Sequence, residues 1–450
     1  MSDPGSDGRS GRPPGLGRNV WATSVTSFLT DVSSEMVTNV LPLFLANVLG
    51  VRTVTIGLIE GAAESIASFV KLYAGVWSDR LRRRKPLAVL GYAVSAASKP
   101  FYLIAGSWGA VAGIRWSDRV GKGVRTAPRD ALLADSVPPE RRGLAFGFHR
   151  AADTAGAVVG LLVAVAVVEA AAGGALRLDG DTFRLLVLAS LPPAFLAVLV
   201  LAVWARDVGR GVGADERVSV GAAGGPGADG SPAAASPHGS KPARGATATR
   251  PRGSVRQLGR PFLAFLAAAA LFDLGNSADA FLVLRAQDRG LGVSDVLWVL
   301  LAFNVVYTVV STPAGRWSDR IGRRPVLLVG WAVYALAYGL FAVAGSAHMV
   351  VGGFLLYGVY YGLATGTAKA FVADLVAPER RATAYGAYHA VLGFLNLPAS
   401  LIAGLLWQGW GGWAGFGAAA PFVFGAATAG LAALALVLWV PGGRTDANAV

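Results

Sequence analysis

The sequence contains no cysteine in 450 residues, which excludes disulfides, thiol catalysis and cysteine-based metal sites. It is also poor in charge: 15% of residues are charged, where a soluble chain carries about a quarter. No His-Glu-x-x-His and no Gly-x-Ser-x-Gly pattern occurs. Val120-Gly121-Lys122-Gly123 lacks the preceding glycine and the following Ser or Thr of a phosphate loop. These absences leave a membrane-embedded enzyme only as a remote alternative, and no cofactor and no metal are expected. Residues Met1 to Arg18 lead into a segment too long and too polar for a cleavable leader, so no removable signal peptide is expected.

What the chain has is apolar length. Hydrophobic residues make up 54%, mean hydropathy is +0.52, and the apolar residues come in runs of about 20, enough to cross a bilayer as a helix. Twelve spans are expected in an all-α polytopic membrane protein. They divide into a six-helix bundle over residues 20–204 and a second over 261–441. Residues 205–260 are rich in Gly, Pro and Ser and read as a flexible linker; 1–19 and 442–450 read as tails. The net charge of +13 would suggest nucleic acid in a soluble chain, but here the surplus arginines lie in short loops on one side. That asymmetry places both termini and the linker in the cytoplasm, with a lipid bilayer and no nucleic acid as the surroundings, and the chain in the cytoplasmic (inner) membrane.

The two bundles repeat one another. Gly75, Asp79, Arg80 and Arg83 between spans two and three return as Gly315, Asp319, Arg320 and Arg323 between spans eight and nine, with Arg82 where the second copy has Gly322. Asp135 and Arg142, seven positions apart, return as Asp374 and Arg381. Two six-helix halves of the same orientation are parallel repeats, which enclose a central cavity at their interface. The loop Gly-x-x-x-Asp-Arg-x-Gly-Arg-Arg, complete in the second copy, resembles the signature of the major facilitator superfamily, and the resemblance extends from about Val20 to Val440. It implies a monomeric secondary transporter working by alternating access, with these loop residues governing a cytoplasmic gate.

Charges inside spans point to the site. A Lys, Arg or Asp at the centre of a span costs about 2.5–3.5 kcal/mol. Span four carries Arg115, Asp118, Arg119, Lys122, Arg125, Arg129 and Asp130 within an arc of roughly 140°, a face that must look into protein or water. Span one carries Asp31 and Glu35 one turn apart, so like charges compete and one carboxylate is suited to taking and releasing a proton. Span two adds Glu60, Glu64 and Lys71; span seven keeps Asp273 and Asn276; span ten offers Tyr361 and Lys369. In the resemblance, Arg119 falls on the Arg-x-x-x-Gly pattern of proton antiporters, which implies influence over a nearby carboxylate. His149 and Asp153 could pair, and Gly156 and Gly160 have the spacing that lets helices approach. Two transport readings stand: proton-coupled efflux of small organic molecules, or movement of an anionic metabolite or metal chelate bound by the basic face of span four.

Overall fold

The computed structural model describes residues 17–81, 84–138, 141–207 and 258–440, without the side chains of Val76, Asp79, Arg80, Leu81, Glu379 and Ala382. Residues 1–16 of the N-terminal tail, the C-terminal tail, most of the 205–260 linker and Arg83 lie outside the described residues, and the expected tail residues Arg18 and Asn19 already belong to the first helix.

Backbone polar groups in lipid have no water to bond, so a spanning segment must satisfy them internally, and the described residues are helices joined by short loops. The first half runs α1 (Arg18–Thr38), α2 (Leu41–Leu43) with a π-helical turn (Phe44–Val48), α3 (Thr53–Leu81), α4 (Lys85–Ser98) with a 3-10 extension (Lys99–Ile104), α5 (Trp108–Asp135), α6 (Arg142–Ala172) and α7 (Gly180–Trp204). The second runs α8 (Arg260–Leu274), α9 (Ala280–Asp288), α10 (Val293–Ile321), α11 (Arg323–Val343), α12 (Ala347–Asp374), α13 (Arg381–Gln408) and α14 (Ala420–Trp439). Span one breaks after Thr38 because Pro42 has no N–H for the Thr38 carbonyl. Span seven, the first of the second bundle, is not one helix but two: α8 and α9 are separated by the non-helical residues 275–279.

Among the described residues, nine helices are long and apolar enough to span a membrane. The three spans that fall short of that measure are α1, α5 and the broken α8–α9 pair. Polar side chains or the interruption lower their apolar character, and all three face the centre of the molecule. The lipid side shows the opposite character, with Leu188, Phe195, Leu199, Leu431, Leu434 and Leu438 exposed along α7 and α14.

Packing repeats between the halves. The pairs α1–α6, α1–α7, α3–α5, α4–α5 and α4–α7 have counterparts in α8–α13, α8–α14, α10–α12, α11–α12 and α11–α14. The halves meet along α3–α13 and α6–α10, which exchange under the same pseudo-twofold. Gly156 and Gly160 of α6 bring it against α1: a Cβ there would lie 2.4 Å from the Phe28 carbonyl oxygen and 2.6 Å from that of Val32. This seam fixes the rotation of α1 and holds Glu35 beside Gly160 of α6, where a Cβ would lie 3.0 Å from the Glu35 Cβ.

The end carrying Arg18, Trp204, Arg84, Asp135 and Arg324 will be called the basic face. At the other end the halves are sewn together. Arg52 Nη2 donates to the Gln408 carbonyl at 3.0 Å, the Thr53 amide donates to Gln408 Oε1 at 2.8 Å, and the Val293 amide donates to the Ala175 carbonyl at 3.1 Å. Gly57, Gly61, Gly393 and Gly404 bring α3 and α13 into close contact from Thr53 to Ser68. On the basic face the ion pairs Arg84–Asp135, Arg323–Asp319 and Arg323–Asp374 each stay within one half. The molecule is closed at the opposite face and open towards the basic one.

Candidate functional site

The inward-facing side of α5 delivers its charges in pairs. Arg115, 3% exposed, donates to Glu60 Oε2 of α3 at 2.7 Å and to Thr38 Oγ1 of α1 at 3.2 Å; Asp118 lies 4.0 Å away. One turn on, Arg119 meets Glu64 Oε1 at 3.0 Å. A buried guanidinium without a partner would bear an uncompensated desolvation cost, and two glutamates one turn apart on α3 supply matched partners. Arg125 turns the other way, to Ser95 Oγ at 3.0 Å and over the Tyr92 ring at 4.5 Å, so it ties α5 to α4 and does not face the centre. Arg129 binds Asp130 at 2.8 Å and Ser27 Oγ at 3.1 Å. Lys122 is exposed with no carboxylate within 4.0 Å among the described residues.

These pairs line one wall of a cavity of about 420 Å³ between the halves, a volume typical of small-molecule sites. Glu35, Glu60, Glu64, Arg115 and Arg119 stand on the first-half wall; Asn276, Asp279, Phe303, Asn304 and Tyr361 stand on the second. Glu35 Oε2 accepts from Asn39 Nδ2 at 2.7 Å and has no cationic partner within 4.0 Å among the described residues. Asp31 sits half-buried one turn nearer the basic face, also without an ion pair there. Nearer the mouth a second space of about 440 Å³ is lined by Arg129, Asp130, His149, Arg150, Asp153 and Lys369. Arg150 crosses it to Tyr307 OH at 2.9 Å, and His149 stands 3.7 Å from Asp153.

Several residues grouped by sequence do not share the deep cavity. Asp273 lines a separate space of about 250 Å³ inside the second half, with Tyr360, Lys369, Tyr388 and His389. Lys71 is exposed on α3 one turn beyond its last close contact with α13. Asp118 supports Arg115 from the same helix. Conversely, Asp279 was not singled out by periodicity. It lies in the unwound turn between α8 and α9 and lines the deep cavity beside Asn276. No metal ligand set of three or more His, Cys, Asp or Glu side chains exists among the described residues.

The charged loops staple each half internally. Arg84 meets Asp135 at 3.0 Å, and Arg323 meets Asp374 at 3.4 Å as well as Asp319. Arg142 donates to the Ala134 carbonyl and Arg381 to the Ala373 carbonyl, both at 3.2 Å. Arg84 makes in the first half the pairing that Arg323 makes in the second, and between Asp and Pro the first loop is one residue longer than the second, which turns at Gly322 with φ +96°. Gly75 meets Ala127 at an ordinary 3.6 Å and Gly315 meets nothing, so packing in this state requires neither glycine; Arg320 is exposed.

The family model of the Major Facilitator Superfamily matches residues 23–283 and 262–449. An uncharacterised MFS-type transporter of Methanocaldococcus jannaschii is 32% identical over 87% of this chain and 89% of its own length. The class E tetracycline resistance protein of Escherichia coli is 38% identical over 32% of this chain and 33% of its own. Among solved structures, the nucleoside transporter NupG superposes with a TM-score of 0.71 at 12% identity, over 94% of this chain and 100% of the other. With a matched family model across both halves and a relative of this similarity along most of the chain, the protein belongs to the Major Facilitator Superfamily of multi-pass membrane transporters.

Proposed function

We propose that the chain exports a small organic solute in exchange for protons, with the α1 carboxylates as the coupling groups. The observation that carries this reading is the uneven pairing inside the deep cavity. Arg115 and Arg119 are engaged by Glu60 and Glu64, while Glu35 faces the same space with no cation beside it. A carboxylate in a cavity with an amide but no cation as partner gains or loses a proton without breaking a salt bridge. Its charge then acts on the neighbouring Arg119–Glu64 pair across the α1–α3–α5 contact. Changing that balance is the differential interaction needed to shift a two-state equilibrium between openings. The resistance protein of Escherichia coli, similar over a third of its length, is in keeping with efflux.

The anion-carrier reading is disfavoured by the same geometry. The cavity wall presents four carboxylates against two guanidiniums, and both guanidiniums are taken. The basic face of the molecule, rich in arginine, is assigned to the cytoplasm of a cell whose inner membrane holds the protein. Substrate-driven proton flux in proteoliposomes tests the coupling. Asp31→Asn and Glu35→Gln are expected to reduce or abolish it, and full coupling in both variants would overturn the assignment.

A further inference from the structure

We infer that the second-half wall of the deep cavity is a binding site for an organic cation, with Asp279 as its counter-ion, held by the buried Tyr357, and Phe303 and Tyr361 as its aromatic faces. The inference names the substrate class of the transport reading above and rests on it for physiological meaning.

Asp279 lies in the turn between α8 and α9, is exposed to the cavity, and has no basic side chain within 4.0 Å among the described residues. Tyr357 OH donates to its Oδ1 at 2.8 Å, which fixes the carboxylate and leaves Oδ2 without a donor among the described residues. Three rings gather beside it. Phe303 and Tyr357 lie nearly parallel at 5.6 Å, and Tyr361 meets them edge-on at 5.4 and 5.0 Å. A ring face attracts a cation through its quadrupole, most strongly where water is excluded, and a carboxylate beside such faces completes a site for an ammonium or phosphonium group. An anion finds no cationic side chain on this wall among the described residues.

The first-half wall points the same way. Glu60 is 6% exposed and lines the same space, yet its Oε1 has no partner, since Arg115 takes only Oε2. Alternating access requires the loaded cavity to close on both sides, which strips water from any carboxylate left inside. An unpaired buried carboxylate is costly, and a cationic solute supplies the missing charge during closure. A neutral solute leaves Asp279 bare at that moment.

Equilibrium binding of tetraphenylphosphonium and tetraphenylborate, matched in shape and opposite in charge, tests the site on the purified full chain in lipid nanodiscs without any gradient. Wild type is expected to bind the phosphonium and to discriminate against the borate. Asp279→Asn is expected to weaken phosphonium binding about ten-fold or more, roughly the effect of one desolvated ion contact. Tyr357→Phe keeps the ring but frees the carboxylate, and a smaller loss is expected. Asp279→Glu, in a protein that remains monodisperse, is expected to recover part of the affinity. Equal affinity for both ions, or phosphonium binding unchanged in Asp279→Asn and Tyr357→Phe, overturns the site. Because no gradient is present, a chain that binds the cation but moves no protons sinks only the coupling reading. One that couples protons without binding the cation sinks only this inference.

Discussion

Arg115 holds three helices at one point: its own α5, α3 through Glu60 and α1 through Thr38. Removing one member of a buried pair leaves the other charged and unpaired, which typically costs about 3–5 kcal/mol. Arg115→Gln is therefore expected to lower the thermal unfolding midpoint in detergent sharply, and Arg115→Gln combined with Glu60→Gln to recover much of the loss. If the double variant is no more stable than the single one, the pair is not the unit proposed. A milder case stands outside the membrane, at the start of α7. The Asp179 carboxylate accepts from the Asp181 and Thr182 amides and from Thr182 Oγ1, and these bonds hold its pKa below the usual carboxylate value of 3.8. A group so depressed stabilises the fold above pH 3.8, and its contribution is lost as pH falls through the lower folded value. Asp179→Ala is expected to cost about 1 kcal/mol at neutral pH, as for other helix caps. The gap between variant and wild type should narrow in acid below that point.

At the scale of elements, the broken span seven shows what periodicity can and cannot deliver. Charges on an intact helix, such as those of α5, can be assigned to a common face from spacing alone, because successive side chains advance by a fixed angle. The spacing does not say which neighbour a given residue meets. Arg125 stands at the edge of that arc, about 120° from Arg119, and packs on α4, while the arc alone does not name α4 as its neighbour. Where the helix unwinds, the fixed angle is lost, and Asp279 was hidden for that reason. The one-residue insertion that makes Arg84 the partner of Asp135 was hidden differently, since matching the Gly and Asp of the two loops sets the register ahead of the insertion. The break itself is held by a close approach to α14. A Cβ on Gly275 would lie 1.8 Å from Thr428 Oγ1 and 2.9 Å from Gly425 Cα, and Tyr334 OH donates to the Gly275 carbonyl at 3.1 Å. Gly275→Ala is expected to destabilise the protein by about 1–3 kcal/mol, the usual range for overpacking. Thr428→Ala should rescue it only in part, because the 2.9 Å contact with Gly425 remains. Complete rescue would mean that the hydroxyl alone, and not the α14 backbone, sets the spacing.

For the whole molecule, twelve spans and a duplicated plan were legible because hydropathy and repeated loops are properties of the chain. Which face is open is a property of how the two halves tilt, and no single stretch encodes it. The tilt is set along α3–α13, where glycines let the backbones touch near the opposite face. A Cβ on Gly57 would lie 2.3 Å from the Ser400 carbonyl oxygen, and one on Gly404 would lie 2.5 Å from Val54 Cα. Neither obstacle is a side-chain end that can swing away, so α13 must move off α3 and the seal must loosen. The state open to the basic face relies on that seal, and a perturbation that raises its free energy by 1.4 kcal/mol relative to the other state shifts the ratio about ten-fold. The absence of cysteine makes this measurable, because an introduced thiol is the only one present. Asn304→Cys places it in the deep cavity, reachable only through whichever face is open. In oriented vesicles the otherwise unaltered protein is expected to react with a membrane-impermeant maleimide from the basic face. Adding Gly57→Ala or Gly404→Ala is expected to lower that rate and raise labelling from the opposite face, both variants acting alike since they strike one seam from its two sides. Unchanged labelling in both, with the protein still folded by size exclusion, would show that the glycine seam does not hold the closed face. Preferential labelling of the starting protein from the opposite face would show that the open state described above is not the one populated in a bilayer.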